Sequence, residues 1–291
     1  MERPRAVAPG IEAFPARTPT LPPATHTNSY ALGEGEVLLV EPATPYDDER
    51  AAWLAWARGF AERGRTIVGV FLTHHHADHV GGATFFRDEL GVPTIAHKRT
   101  AKLLEERGTG VVVDRTLIDG EEIDLHGLGG DTKQRWKVLH TPGHASGHLC
   151  LHEESQGIVV VGDMVASVGT ILIEPRDGDM IDYLAGLRRL EALRATVALP
   201  AHGDPIADPS KLFRAYVTHR LLREAKIKRE LEKAGEASLD ELTRTAYADT
   251  PEALWPIAKM SLESHLVKLM HDGVARRTDA DRFAFGGMVT T

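Results

Sequence analysis

Between Asn28 and Pro205, short apolar runs of strand length alternate with stretches whose apolar residues recur at helical spacing. Glu36 to Glu41 (EVLLVE) reads as a strand closed by Pro42. Asp47 to Arg63 carries Trp53, Leu54, Trp56, Ala57 and Phe60 at helical spacing and stops at Gly64. Ile67 to Leu72 is a second apolar strand, and a short helix is predicted after Gly81-Gly82. Further strands are expected at Pro93 to Ala96, Trp136 to Leu139, Leu149 to Leu151 and Ile158 to Val161. Ile181 to Leu193 is helical by its Tyr183, Leu184, Leu187, Leu190 spacing, and Val197 to Leu199 is the last strand of this part. Strands interleaved with helices in this way predict an α/β protein with buried sheets.

The pattern changes at both ends. The first two dozen residues are rich in proline and read as an irregular arm, residues 1–24. Beyond Pro209 the strand signals stop. Lys211 to Ala234 reads as one long helix ended by Gly235, and Ser238-Leu239-Asp240-Glu241 is an N-cap signature for a short one. Thr250-Pro251 opens another helix, which Pro256 is expected to break or kink. Ser261 to His271 is helical, and Val274 to Phe285, with Asp279-Ala280-Asp281 in its middle, reads as a small hairpin. Residues 25–209 are therefore expected to form one α/β domain, and residues 210–291 a compact, mainly helical, winged-helix-like one. Phe285-Gly286-Gly287-Met288 carries no interface signal.

Composition narrows the class without selecting a function. Hydrophobic content of 42% and charged content of 26% are ordinary for a globular chain. No stretch approaches the roughly 20 apolar residues needed to cross a bilayer, so no membrane partner is expected. The start of the chain lacks the apolar core of a secretory signal. A single cysteine, Cys150, excludes an internal disulfide and fits a reducing, cytoplasmic setting; its neighbourhood suggests a small buried hydrophobe. The net charge of −8 does not advertise nucleic-acid binding.

The candidate chemistry lies in Thr73-His74-His75-His76-Ala77-Asp78-His79, directly after an apolar strand. Imidazole and carboxylate together suit Zn²⁺ and other first-row divalent ions. In an extended loop, alternate residues point opposite ways, so His74 and His76 can serve one ion while Asp78 and His79 turn toward a second. Four residues cannot fill two sites. His144 in Thr141-Pro142-Gly143-His144, Asp163 after Gly162, and His202 in Ala201-His202-Gly203 each follow a predicted strand. Glycine beside each allows a sharp turn and close approach. The set, five His and two Asp, suffices for two ions and a bridging water.

The order H-x-H-x-D-H, then His, Asp and His, resembles the metallo-β-lactamase superfamily over roughly Asn28 to Pro205. The resemblance implies an αββα sandwich with a dinuclear site at one edge. It implies that His74, His76 and His144 hold a first ion and Asp78, His79 and His202 a second, with Asp163 bridging. Class B β-lactamases commonly have Cys where Asp163 stands, which turns the expectation away from antibiotics. Tyr216-Val217-Thr218-His219-Arg220, the long helix after it, and the segment from Thr250-Pro251 to Arg277 resemble the β-lactamase-like protein 2 group. Its animal member is an endoribonuclease acting on single-stranded RNA. In one departure, Glu41 ends its strand where the superfamily usually has Asp.

The implied activity is hydrolysis by a metal-bridging hydroxide, with two divalent ions, Zn²⁺ foremost, and Asp78 orienting the nucleophile or taking its proton. Single-stranded RNA is the substrate that the resemblance implies. Thioester, ester or lactone hydrolysis is the alternative that the acidic net charge favours, with β-lactams ranked lower. A metal-binding scaffold without catalysis is a third class, disfavoured by the complete donor set. Arg220, Arg223, Lys226, Lys228, Arg229 and Lys233 make the long helix basic: either a solvated face among glutamates or a track for an RNA backbone. The terminal domain is equally compatible with a homodimer. His75 is expected to face away from the first ion, His97, His140, His148 and His152 to be supporting or ordinary residues, and Tyr183 to be core.

Overall fold

The computed structural model describes residues 3–278 and 280–286. The chain divides into two compact units. The first takes the residues up to Thr141, then Gly147–Thr170 and Arg194–Pro209; the second takes Pro142–Ser146, Ile171–Leu193 and the chain from Ser210 onward.

The first unit holds two sheets. One runs in chain order through seven strands: β1 (Arg5–Ala8), β2 (Ile11–Arg17), β3 (His26–Leu32), β4 (Glu36–Val40), β5 (Thr66–Phe71), β6 (Thr94–His97) and β7 (Arg115–Leu117). Helix α1 (Asp47–Glu62) connects β4 to β5; α2 (Ala77–Val80) and α3 (Ala83–Leu90) connect β5 to β6; and α4 (Lys98–Glu106) connects β6 to β7. Pairing is antiparallel from β1 to β4 and parallel from β4 onward, as helical crossovers require. The second sheet contains β8 (Glu122–His126), β9 (Lys133–His140), β10 (Leu149–Glu153), β11 (Ile158–Gly162) and, after α5 (Met180–Ala192) in the second unit, β12 (Val197–Pro200).

Strand periodicity decides which layer each side chain joins. Along β4, Leu38 and Val40 enter a core with Phe71, Trp136, Val138, Leu149, Leu151, Val160 and Leu199, where the two sheets meet. Their neighbours Val37 and Leu39 point the other way, to Trp53, Ala57, Phe60 and Phe86 on the helices. Both faces of the strand are therefore apolar, which is why EVLLVE shows no polar alternation. Trp53 is fully buried, its ring centroid 3.8 Å from that of Phe86 and its indole N–H donating to Ser29 Oγ at 2.8 Å.

The N-terminal stretch differs from expectation. Residues 5–17 form β1 and β2 instead of an irregular arm. Ile11 and Ala13 join the inner core, while Phe14 and Ala16 join the outer one. Pro15 interrupts the run and disguised this pattern. Strands β7 and β8 were also not anticipated; β8 is half exposed, with only Ile123 and Leu125 pointing inward.

The second unit contains α5, α6 (Pro209–Ala234), β13 (Glu236–Ala237), α7 (Leu239–Ala246), α8 (Trp255–His271), β14 (Ala275–Arg277) and β15 (Phe283–Phe285). The last three strands pair in the order β13-β15-β14. Ser238 and Glu241 close the anticipated reciprocal cap on α7. Pro256 starts α8 instead of breaking it: it occupies the first turn, where its missing N–H costs no helical bond. Asp279 of the expected hairpin turn, and Gly287 and Met288, lie outside the described residues. No helix among the described residues is long and apolar enough to cross a membrane.

Trp53→Ala should lower unfolding free energy by about 3–5 kcal/mol in denaturant titration, because it empties the centre of the outer layer and removes the indole N–H that Ser29 Oγ accepts.

Candidate metal centre

Each candidate donor in the first unit stands just past the end of a strand. β5 runs out at Phe71, and Thr73 is pinned to the second sheet by its carbonyl, which accepts from Leu149 N at 2.9 Å. His74, His75 and His76 follow. His76 is still extended (φ −69°, ψ 148°) as the N-cap of α2, and that helical turn then carries Asp78 and His79. Asp163 leaves β11 after Gly162, which has φ 48°. A Cβ at Gly162 would meet His148 Nε2 at 2.6 Å and Thr73 Oγ1 at 2.9 Å, so only glycine fits. His202 follows β12 by two residues, its loop held by Asn28 Nδ2, which donates to the carbonyls of Pro200 (3.0 Å) and Gly203 (2.7 Å).

The donors converge. His74 Nε2 and His76 Nδ1 are 2.9 Å apart. His202 Nε2 lies 3.3 Å from Asp163 Oδ1 and 3.5 Å from Asp78 Oδ2. His79 Nε2 lies 3.5 Å from Asp163 Oδ2 and 3.8 Å from Asp78 Oδ2. Asp78, His79 and His202 bring donor atoms within 4.8 Å of one another, and so do Glu41, His74 and His79. Tetrahedral ligands around zinc lie roughly 3.3 Å apart, given metal–ligand bonds of about 2.0–2.1 Å. The observed separations fit that spacing. His79 is fully buried, and neither of its ring nitrogens has a well-formed hydrogen bond among the described residues. Buried polar atoms left this way fit a cation better than a finished core.

A second layer fixes the rings. Thr73 Oγ1 donates to Glu41 Oε1 and therefore accepts from His74 Nδ1 at 2.9 Å, which leaves Nε2 as the unprotonated nitrogen. Glu41 Oε2 lies 3.3 Å from His79 Nδ1. His202 Nδ1 donates to the His26 carbonyl at 3.0 Å. Asp163 N donates to His148 Nε2 at 3.1 Å, so the proton of His148 sits on Nδ1 and points to Thr141 Oγ1 at 2.9 Å. That hydroxyl lies 3.2 Å from Cys150 Sγ, which is buried as expected. The sequence left His148 open as a supporting or an ordinary residue, and its bond to Asp163 N makes it a supporting one.

The charges in this pocket are strongly coupled. Burial alone would push the His79 imidazolium down, but the carboxylates of Asp163, Glu41 and Asp78 outweigh it and hold its pKa well above the usual 6.5. Burial opposes ionisation of Asp163, yet His202 and His79 keep its carboxyl well below the usual 3.8. His202 is raised in the same way: burial works against it, and Asp163 prevails. Protons here occupy positions that a cation would take.

The other expected residues find separate places. His144 lies on the Pro142–Ser146 segment of the second unit, its Nδ1 2.8 Å from the Leu172 carbonyl. His75 is buried, its ring edge-on to that of His74. His97 and His140 stack at 4.2 Å, and burial beside His140 pulls His97 down to about 4. Tyr183 is fully buried in the second unit.

The basic helix is largely committed. Arg223 pairs with Asp249 at 2.9 Å and stacks on Tyr247, Lys226 pairs with Asp249 at 3.1 Å, Arg229 and Lys233 both meet Glu230, and Arg220 is buried.

Two face-to-face sheets with clustered imidazole and carboxylate donors at their strand ends define a metallo-hydrolase scaffold. The chain belongs to the metallo-beta-lactamase superfamily, which matches residues 22–202; the beta-lactamase associated winged helix domain matches residues 238–283. It is 29% identical over 266 residues to a beta-lactamase-like protein 2 homolog of Caenorhabditis elegans, covering 90% of this chain and 84% of that one. It is 25% identical over 257 residues to an atrochrysone carboxyl ACP thioesterase of Aspergillus chevalieri, covering 84% and 74%. Among solved structures, a metallo-beta-lactamase family protein from Thermus thermophilus superposes with a TM-score of 0.76 at 26% identity, covering 97% of this chain and all of that one. The protein is thus a superfamily hydrolase with His, Asp and Glu groups able to bind metal ions.

Because His79 and His202 are held protonated above their ordinary range, cation binding must expel protons. Zinc titrations should show proton release in weakly buffered indicator dye and an affinity that rises from pH 6 to pH 8. Glu41→Ala should weaken cation binding on the order of 10–100-fold in the same titration, the usual effect of losing a partner behind a ligand.

Proposed function

We propose that the protein is a two-cation hydrolase, with Zn²⁺ as the foremost cation. His74, His76 and His144 hold one ion, Asp78, His79 and His202 hold the other, and Asp163 serves both. The observation that carries this reading is the fully buried His79, flanked by three carboxylates, with no well-formed hydrogen bond at either ring nitrogen. Bound cations at such a site acidify water to near-neutral pKa and stabilise negative charge on the substrate oxygen. Asp78 is the carboxylate with access to solvent, its side chain 18% exposed against 10% for Asp163 and 1% for Glu41. It is therefore suited to orient the attacking water and take up its proton. Asp163 and the second-layer hydroxyls keep the donors aligned while this happens.

For the substrate, the committed cations of α6 favour a small acyl compound: a thioester, ester or lactone. A guanidinium already paired and stacked offers little to a phosphate backbone, and the net charge of −8 repels one. The similarity to an ACP thioesterase supports the same class. Single-stranded RNA is the second reading, favoured by the winged-helix match and by likeness to the C. elegans homolog across most of the chain. The lone thiol, Cys150, is reduced and buried, which accords with a cytoplasmic setting.

A panel of thioester, lactone, β-lactam and labelled single-stranded RNA substrates, run on zinc-loaded protein, tests both statements. Acyl turnover is expected in the wild type, with at least a 100-fold loss in Asp163→Ala, about the contribution of positioned acid–base and charge groups. Cleavage of RNA alone, falling steeply with salt, would reverse the substrate assignment. Protein that takes up less than one zinc per chain would overturn the cation site itself.

A further inference from the structure

Three successive backbone carbonyls of the second unit are each taken by a different side chain. Ile171 O accepts from the guanidinium of Arg220 on α6, and Ile173 O accepts from the hydroxyl of Ser264 on α8. The carbonyl between them, Leu172 O, lies 2.8 Å from His144 Nδ1. Arg220, Ser264 and His144 are all buried, at 3%, 2% and 7% exposure. Holding the carbonyls on either side from two helices restrains the peptide planes that flank Leu172 and so limits how its own carbonyl can turn.

The consequence is chemical. A carbonyl can only accept, so His144 must carry its proton on Nδ1, and Nε2 is then the unprotonated nitrogen of the neutral ring. The rest of its loop is clamped by the same unit. Gly143, at φ 130°, lies so close to Tyr183 that a Cβ there would sit 2.3 Å from the Tyr183 backbone. Gly143 O accepts from Asp179 N at 2.8 Å, and Ser146 gives both its N–H and its hydroxyl to Asp177. Arg220 also lies over the Tyr183 ring, 5.5 Å from its centroid.

We propose that Arg220 and Ser264 are positioning residues for His144. By holding the carbonyls of Ile171 and Ile173 they fix Leu172 O, which sets the tautomer and angle at which His144 offers Nε2 to a cation. The helices of the second unit then act as a built part of a cation site's support. This inference rests on His144 being a ligand, as proposed above.

The test uses the full-length chain. Ser264→Ala, Arg220→Gln and Arg220→Lys are made, their folds checked by circular dichroism and thermal melting, and zinc titrated into each by calorimetry. In parallel, ¹⁵N-histidine spectra of the metal-free proteins report the His144 tautomer. Wild type should bind two zinc ions and show a protonated Nδ1. Ser264→Ala and Arg220→Gln should keep one site unchanged and weaken the other about 10-fold or more, with loss of the single-tautomer signal. Arg220→Lys, which still donates to Ile171 O, should recover part of both. Two wild-type sites and an unchanged His144 spectrum in Ser264→Ala would overturn the inference. Should Arg220→Gln not fold, Ser264→Ala decides alone. Absence of zinc binding in the wild type would instead overturn the cation site, so the two failures are distinct.

Discussion

A carboxylate almost without access to water sits at the end of β4, and the site is arranged around it. Glu41 lies at φ 58°, a backbone region that costs a residue with a side chain on the order of 1–3 kcal/mol. Its carbonyl is held by Ser29, which is in turn fixed by Trp53 from α1. Burying an unpaired carboxylate would be prohibitive, so each of its oxygens needs a partner. One takes the Thr73 hydroxyl, which orients His74; the other faces His79. A single carboxylate thereby reaches imidazoles proposed to serve both cations. From one position on the chain its two oxygens reach both Thr73 and His79.

This arrangement also explains the electrostatics of the cluster. Three carboxylates and two imidazoles cannot share so small a volume unless protons or cations separate the negative charges. The carboxylates outweigh burial and raise the pKa values of His79 and His202, and those two imidazoles lower that of Asp163. Cation and proton are thus competitors for the same positions. The donors also differ in depth: the Asp78 side chain is partly open to solvent, and His79 is fully buried.

Most of the fold, and most of the candidate donors that cluster in it, were legible from residue order because both obey short-range rules. Strands buried on two faces read as plain apolar runs, and ligands follow strand ends beside glycine. What was illegible depends on contacts between distant positions. Residues 5–17 look like an irregular arm until Ile11 and Ala13 are seen against one core and Phe14 and Ala16 against another. Pro256 reads as a breaker unless the preceding turn shows that it starts α8. Whether His148 is a supporting or an ordinary residue cannot be read locally, because its partner is the backbone N–H of Asp163, which leaves no trace in side-chain pattern. Arg220 was visible as one of six basic residues and as the end of Tyr216-Val217-Thr218-His219-Arg220, but its hold on the Ile171 carbonyl is a tertiary fact.

The basic helix left two readings open, a solvated face or a track for a polyanion. Read along the chain, α6 carries cations that would suit a polyanion; in the fold, Arg223 and Lys226 share Asp249, and Arg229 and Lys233 share Glu230. Pairs that are largely exposed add little to stability, so these are not what holds the unit together. They do lower the local positive potential, and potential is what a phosphate backbone would read. Arg220, the cation withdrawn furthest from solvent, directs its donors to Ile171 and Ser261 and its face to Tyr183. Of these cations Arg220 alone is buried, and it is the one that holds the carbonyl next to Leu172.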